Sequence, residues 1–76
     1  MKIEVLGPGC PRCNALAAGV QEAVARLALD ADVAKVTDIN EITARGVMLT
    51  PALVVDGEVK CSGRVPSPDE IQEMLS

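Results

Sequence analysis

The stretch GPGCPRCNAL, residues 7–16, decides how this chain folds. It separates an alternating polar and apolar run, KIEVL at residues 2–6, from a longer segment whose apolar residues recur at helical spacing. The alternation predicts a strand that stops at the glycines. Pro11 suits the first position of a helix and leaves Cys10 at the N-cap. The chain is therefore expected to begin with a strand, a tight loop and a helix.

Cys10 and Cys13 have the spacing that brings two side chains to one face at the start of that helix. The positive end of the helix dipole and the neighbouring Arg12 are expected to lower the pKa of Cys10. Because the thiolate is the attacking form of cysteine, Cys10 is predicted to attack a disulfide. Cys13, one turn deeper, is predicted to resolve the mixed disulfide. Pro11 stiffens the loop and keeps both sulfurs within bonding distance.

The middle of the chain predicts a second strand at residues 33–37 and a short helix after it. Asp38 begins a capping-box pattern, so this helix is expected to start there and to run to about Arg45. Its apolar face is thin, and we expect it to consist mainly of Ile39 and Ile42.

The last third of the chain contains the clearest local signal. In ALVVDGEVKC, residues 52–61, two strand-like runs flank Asp56 and Gly57, which predicts a hairpin with a type I′ turn. Ser67 and Pro68 then have the residue types of an N-cap and a first helical position, so a final helix is expected.

The element order is therefore β-α-β-α-β-β-α. A β-α-β crossover favours parallel pairing of the first two strands, and a two-residue hairpin makes the last two antiparallel. The predicted fold class is α/β, with a mixed four-stranded sheet and helices on its faces.

Composition limits the possible functions. At 76 residues the chain is expected to be a single domain, residues 1–76. A net charge of −4, no Lys/Arg cluster and no aromatic residue argue against nucleic-acid binding. No run approaches the ~18 apolar residues of a membrane span, and the start lacks an apolar signal region, which predicts a cytoplasmic protein. Three cysteines, an odd number, argue against a disulfide scaffold.

Three motifs, in this order, resemble the thioredoxin superfamily in its smallest form. They are CPRC at residues 10–13 after the first strand, LTP at residues 49–51 before the third strand, and SGRVPS at residues 62–67 before the last helix. The chain is similar over its whole length to small bacterial and archaeal thioredoxin-like or glutaredoxin-like proteins described as redox-active disulfide proteins. The resemblance implies a minimal thioredoxin fold.

The resemblance also implies an activity and the residues that carry it. The chain is expected to be a thiol–disulfide oxidoreductase that needs no cofactor and works as a monomer with protein disulfide substrates and a reductase system. Thr50–Pro51 is expected to be a cis bond beside the cysteines, with the Thr50 backbone offered to a partner's extended chain. Gly63 is expected to border the same site.

Other interpretations stay open from the residues alone. A CxxC where a first strand meets a first helix also occurs in heavy-metal-associated domains, which carry soft ions such as Cu(I) on two thiolates. Pro8 stands where those domains usually have methionine, and their element order ends in a strand. A non-catalytic regulatory module of the thioredoxin fold is a further alternative. Cys61 is expected to be a small buried residue, or else a third redox thiol near the site.

Overall fold

The computed structural model describes residues 1–9 and 11–75 of the chain. Their helices and strands follow the predicted order β-α-β-α-β-β-α. In sequence they are β1 (Lys2–Leu6), α1 (Pro11–Arg26), β2 (Asp32–Val36), α2 (Ile39–Ala44), β3 (Ala52–Val55), β4 (Glu58–Ser62) and α3 (Pro68–Leu75). The second strand lies one residue earlier than expected, because the whole of β1 pairs with Asp32–Val36.

The four strands form one mixed sheet in the order β2-β1-β3-β4. β1 and β2 are parallel and are joined by α1, whereas β3 is antiparallel to both β1 and β4. A register shift between Leu53 and Val54 interrupts the β3–β4 pairing. The predicted fold class is confirmed. The carboxyl end of β1 lies beside Ala52, the first residue of β3.

The two faces of the sheet carry separate apolar cores. Because side chains alternate along a strand, Ile3 and Val5 of β1 face α1 and α3, while Leu6 faces α2. The larger core lies on the α1 and α3 side and contains Ile3, Val5, Leu16, Ala17, Val20, Ala23, Leu53, Val55, Cys61, Ile71 and Leu75. The smaller core contains Leu6, Ile42, Val47, Ala52 and Val54. Burial on both sides holds β1 and β3 firmly in place.

The short helix α2 covers the second face less completely than its pattern predicts. Its N-cap is Asp38, as expected, and the carboxylate accepts a hydrogen bond of 2.8 Å from the Asn40 backbone. Ile42 is buried, but Ile39 is 61% exposed, so the expectation of an Ile39–Ile42 inner face was wrong for Ile39. Val47, from the loop after α2, fills that side of the core instead.

An ion pair also lies on this second face. Glu4 of β1 is only 6% exposed and accepts a hydrogen bond from Arg45, the C-cap of α2, which also contacts Glu41. A buried carboxylate needs such a partner, since leaving it unpaired costs several kcal/mol, on the order of 3–5. The hydrogen bond with Glu4 raises the pKa of Arg45 above its ordinary value. The pair fastens the end of α2 to the sheet.

The two turn and cap predictions near the C-terminus hold. Asp56 and Gly57 both have positive φ, 51° and 83°, which is the geometry of a type I′ hairpin turn. Before α3, the Ser67 hydroxyl accepts from the Glu70 backbone at 3.3 Å and the Glu70 carboxylate accepts from the Ser67 backbone at 3.2 Å. This reciprocal capping box fixes the point at which α3 begins.

Candidate functional site

Cys13 is the buried thiol of the CPRC motif and lies in the first turn of α1. Its side chain is 4% exposed, and its sulfur packs against Gly7, the residue that follows β1. A Cβ atom at Gly7 would overlap Cys13 Sγ and would lie 3.9 Å from Pro51 Cα. Gly7 is therefore where the thiol and the proline loop approach the end of β1.

Sequence reasoning missed this role of Gly7. The glycine was interpreted only as a strand stop, although its position directly after a strand and before a CxxC was a usable signal. Its backbone N–H donates to the Val36 carbonyl at 2.9 Å, so Gly7 still belongs to the sheet. The missing side chain makes room for the sulfur.

The Thr50–Pro51 peptide bond is cis, as the resemblance implied. Pro51 is buried and Thr50 is half-buried. The Pro51 carbonyl accepts a hydrogen bond of 2.9 Å from the Gly63 backbone, which extends the β3–β4 pairing one step beyond the two strands. The proline loop and the β4–α3 turn are thus joined directly.

Gly63 lies in this turn with a φ of +78°, a conformation that favours glycine. The Leu49 side chain lies over it, and a Cβ at Gly63 would be 3.1 Å from Leu49 Cβ. Leu49 is nevertheless 63% exposed, and Met48 beside it is 88% exposed. Val65, also exposed, follows in the same turn as Gly63. We call Met48, Leu49 and Val65 the apolar rim.

Arg12 reaches from α1 to the same turn. Its Nη2 donates to the Gly63 carbonyl at 3.1 Å, across 51 residues of sequence. Among the predicted site residues, the structure therefore brings Arg12, Thr50, Pro51 and Gly63 into one group around the start of α1, with Cys13 beneath it. Pro11 is the exposed first residue of α1. Cys10 lies outside the described residues.

Cys61 is a buried core residue of β4. It packs in the larger core with residues of α1 and α3, and burial raises the pKa of its thiol. A protonated, buried thiol is a poor nucleophile, so these features favour the interpretation of Cys61 as a small apolar side chain. Its neighbour Arg64 points to Glu70, at 2.9 Å.

The described part of the chain contains neither a cluster of metal-binding side chains nor a membrane-spanning helix. Residues 1–9 and 11–75 contain no group of three or more His, Cys, Asp or Glu side chains placed to hold a metal ion. No helix within the same residues combines the length and the apolar character of a membrane span.

The chain has the element order β-α-β-α-β-β-α, with a buried thiol in the first turn of its first helix and a cis-proline loop beside that thiol. These features together define the thioredoxin fold. The chain also matches the thioredoxin-domain family over residues 1–76. It is 42% identical over 76 residues to a thioredoxin of Methanothermobacter thermautotrophicus, covering 100% of this chain and 99% of that protein. It is 44% identical over 73 residues to a thioredoxin of Methanocaldococcus jannaschii, covering 96% and 84%.

The chain therefore belongs to the thioredoxin family. The expected superfamily is confirmed, and the relatives support a thioredoxin-like redox protein.

Proposed function

We propose that this protein is a thiol–disulfide oxidoreductase in which Cys10 attacks and Cys13 resolves. The observation that carries the proposal is the place of Cys13. It lies in the first turn of α1, 4% exposed, with its sulfur against Gly7 and near Pro51. A shielded thiol suits the resolving role, because it meets a sulfur bound to its neighbour more readily than a disulfide in solution.

The proposed exchange conserves electrons and protons in two steps. The Cys10 thiolate attacks one sulfur of a partner disulfide, forms a mixed disulfide and expels the other partner sulfur as a thiolate, which takes a proton. The Cys13 thiol then gives up its proton and attacks the Cys10 sulfur. That step forms the Cys10–Cys13 disulfide and releases the second partner thiol. The partner gains two electrons, and a reductase returns the protein to the dithiol.

Two features support an ionised Cys10. In sequence, Cys10 directly precedes Pro11, the first residue of the 16-residue helix α1, and a thiolate there would meet the positive end of the helix dipole. Arg12 adds a cation two residues away. Both favour the charged form of the sulfur, which is the form that attacks.

The surroundings of the site support a protein as the partner. The apolar rim leaves Met48 88% and Leu49 63% exposed beside the Thr50–Pro51 loop. Exposed apolar side chains grouped around a site are typical of surfaces that bind protein. The Thr50 backbone is proposed to pair with an extended partner segment next to its disulfide.

We also propose that the protein works in the cytoplasm as a monomer. Its odd number of cysteines fits a redox-active pair more readily than a stabilising disulfide scaffold, and such scaffolds are rare in the cytoplasm.

The element order argues against the alternative function of a Cu(I) carrier. Heavy-metal-associated domains have the order β-α-β-β-α-β, whereas the order of this chain ends in the helix α3.

Trapping of mixed disulfides tests the roles of the two cysteines. Cys13→Ser is expected to accumulate a covalent complex with a disulfide-containing protein such as insulin, because the resolving step is lost. Cys10→Ser is expected to accumulate almost none. The complexes are counted on non-reducing gels and by mass spectrometry. Equal trapping by the two variants would show that the assignment is wrong, and tight Cu(I) binding without exchange would favour the carrier.

A further inference from the structure

Gly63 is bonded through its N–H and its carbonyl to different parts of the site. Its N–H donates to the Pro51 carbonyl at 2.9 Å, and its carbonyl accepts from Arg12 Nη2 at 3.1 Å. Both distances are ordinary for hydrogen bonds. A single residue of the β4–α3 turn therefore links the start of α1 to the proline loop. We call this chain of contacts, Arg12–Gly63–Pro51, the site bridge.

The contact of Arg12 differs from that of the other arginine nearby. Within residues 7–16, 46–51 and 62–67, Arg12 and Arg64 are the charged residues of the sequence. Arg64 points to Glu70 at the start of α3, at 2.9 Å. Arg12 instead crosses to a backbone carbonyl on another loop. Guanidinium suits this task, since it is planar and carries several donors in a fixed fork.

We propose that Arg12 is a positioning residue, which sets the separation between the start of α1 and the Thr50–Pro51 loop by holding Gly63. The inference rests on the proposed function and adds a second role to the cationic one. A partner's extended segment has to fit between the start of α1 and the Thr50 backbone. The site bridge connects these two elements and sets the distance between them.

The two roles of Arg12 affect different substrates. Loss of a cation beside Cys10 lowers the fraction of thiolate and slows attack on every disulfide by the same factor. Loss of the bridge disturbs the docking edge, which a protein partner uses and a small disulfide does not. Leu49 lies over Gly63, so the apolar rim shifts with the turn. Removal of the bridge therefore lowers the preference for protein disulfides.

Amide hydrogen exchange at Gly63 tests whether the bridge exists in solution. The Gly63 N–H is protected by Pro51, and Arg12→Ala is expected to speed its exchange about 2- to 10-fold, the range set by loss of one hydrogen bond. Arg64→Ala is the matched control, because it removes a cation from the same turn without touching the Gly63 carbonyl. Its Gly63 exchange is expected to stay within error of the wild type.

The kinetics of disulfide exchange test how the bridge affects the preference for protein disulfides. The kcat/KM for insulin and for 2-hydroxyethyl disulfide, a small uncharged reagent, are measured on the wild type and on Arg12→Ala, Arg12→Lys and Arg64→Ala. Arg12→Ala is expected to lower the insulin-to-reagent ratio about 2- to 10-fold, and Arg64→Ala to leave it unchanged. In Arg12→Lys, which keeps the charge, the ratio is expected to follow the protection of Gly63.

Three results would overturn the inference. They are an unchanged Gly63 exchange rate in Arg12→Ala, an equal loss on insulin and on the small disulfide, and a restored ratio in Arg12→Lys with Gly63 still unprotected. The first would show that Arg12 does not hold Gly63 in solution, and the other two would assign the effect of Arg12 to its charge. Failure of the wild type to reduce either disulfide would instead refute the proposed function. The Gly63 exchange measurement does not depend on activity, so the two failures can be told apart.

Discussion

The two ends of the sheet use their loops differently. At the hairpin end, the Asp56–Gly57 turn closes on the start of β1: Asp56 accepts from the Lys2 backbone and donates to the Lys2 carbonyl, both at 2.8 Å. At the site end, hydrogen bonds join loops that are far apart in sequence, and the apolar rim remains exposed.

Exposed apolar surface has a cost, and that cost is larger at the site end than at the hairpin end, where Met1 and Val59 are 44% and 41% exposed. Met48 at 88% and Leu49 at 63% exposed gain little from folding, since burial is what makes an apolar side chain stabilising. Under the proposed function, their place beside Pro51 and Gly63 lets them bind a protein partner. Turn chemistry therefore stabilises one end of the sheet, while loop contacts at the other end shape an exposed surface.

We expect the largest effects from glycine substitutions at the two ends of the sheet. They should lower stability at both ends but lower the rate of disulfide exchange only at the site end. Gly7→Ala places a methyl group on Cys13 Sγ, so the sulfur has to move, and we expect a loss of about 1–3 kcal/mol in unfolding free energy together with a several-fold slower disulfide exchange. The measurements are chemical denaturation and insulin reduction.

Gly57→Ala is the matched control at the hairpin end. Its new Cβ meets nothing within 4 Å, but its φ of +83° is strained for alanine, by about 1–2 kcal/mol. We expect a similar loss of stability with an exchange rate equal to that of the wild type. An exchange rate lowered equally in both variants would show that the two ends are not functionally distinct.

Removal of exposed apolar side chains should give a smaller, purely functional effect. Leu49→Ser is expected to lower kcat/KM for insulin about 3- to 10-fold, the loss typical of one partly buried apolar contact in a complex, and to leave the rate with 2-hydroxyethyl disulfide unchanged. Val59→Ser, at a β4 side chain that is 41% exposed, is the control and should affect neither rate. Equal kinetics for the two variants would remove the apolar rim from substrate binding.

The smallest expected effect is the pH dependence of the Arg64–Glu70 pair. The hydrogen bond from Arg64 holds the pKa of Glu70 below its ordinary value. A lowered pKa stabilises the fold above the ordinary value, and this stabilisation disappears as the pH falls through the lowered one. Glu70→Gln should therefore be less stable than the wild type near pH 7, with the difference shrinking below about pH 4. A difference independent of pH would show that the ionised form of Glu70, bonded to Arg64 and to the Ser67 backbone, does not stabilise the fold.

Much of the fold and part of the site could be predicted from local sequence rules. The Asp56–Gly57 turn, the Ser67 cap and the helix starting at Pro11 depend on residues adjacent in the chain, and each formed as expected. The cis Thr50–Pro51 bond followed from a family resemblance and not from local chemistry.

The features that sequence reasoning missed are contacts between distant residues. No local rule places Arg12 on the Gly63 carbonyl, 51 residues away, or the Glu4 carboxylate on Arg45. Gly7 was recognised as a break in the strand, but its contact with Cys13 appears only when the helix folds back over β1. Such contacts depend on the assembled sheet and determine how the site is shaped.

The most direct test of the central claim is a peptide map after a single turnover. Reduced protein is mixed with an equimolar disulfide-containing protein, the reaction is stopped with acid, the remaining thiols are alkylated in denaturant, and the digest is analysed by mass spectrometry. The proposed function predicts a Cys10–Cys13 disulfide in an amount equal to the partner disulfide reduced, with Cys61 fully alkylated. Partner reduction without a Cys10–Cys13 disulfide, or with Cys61 consumed in its place, would contradict it.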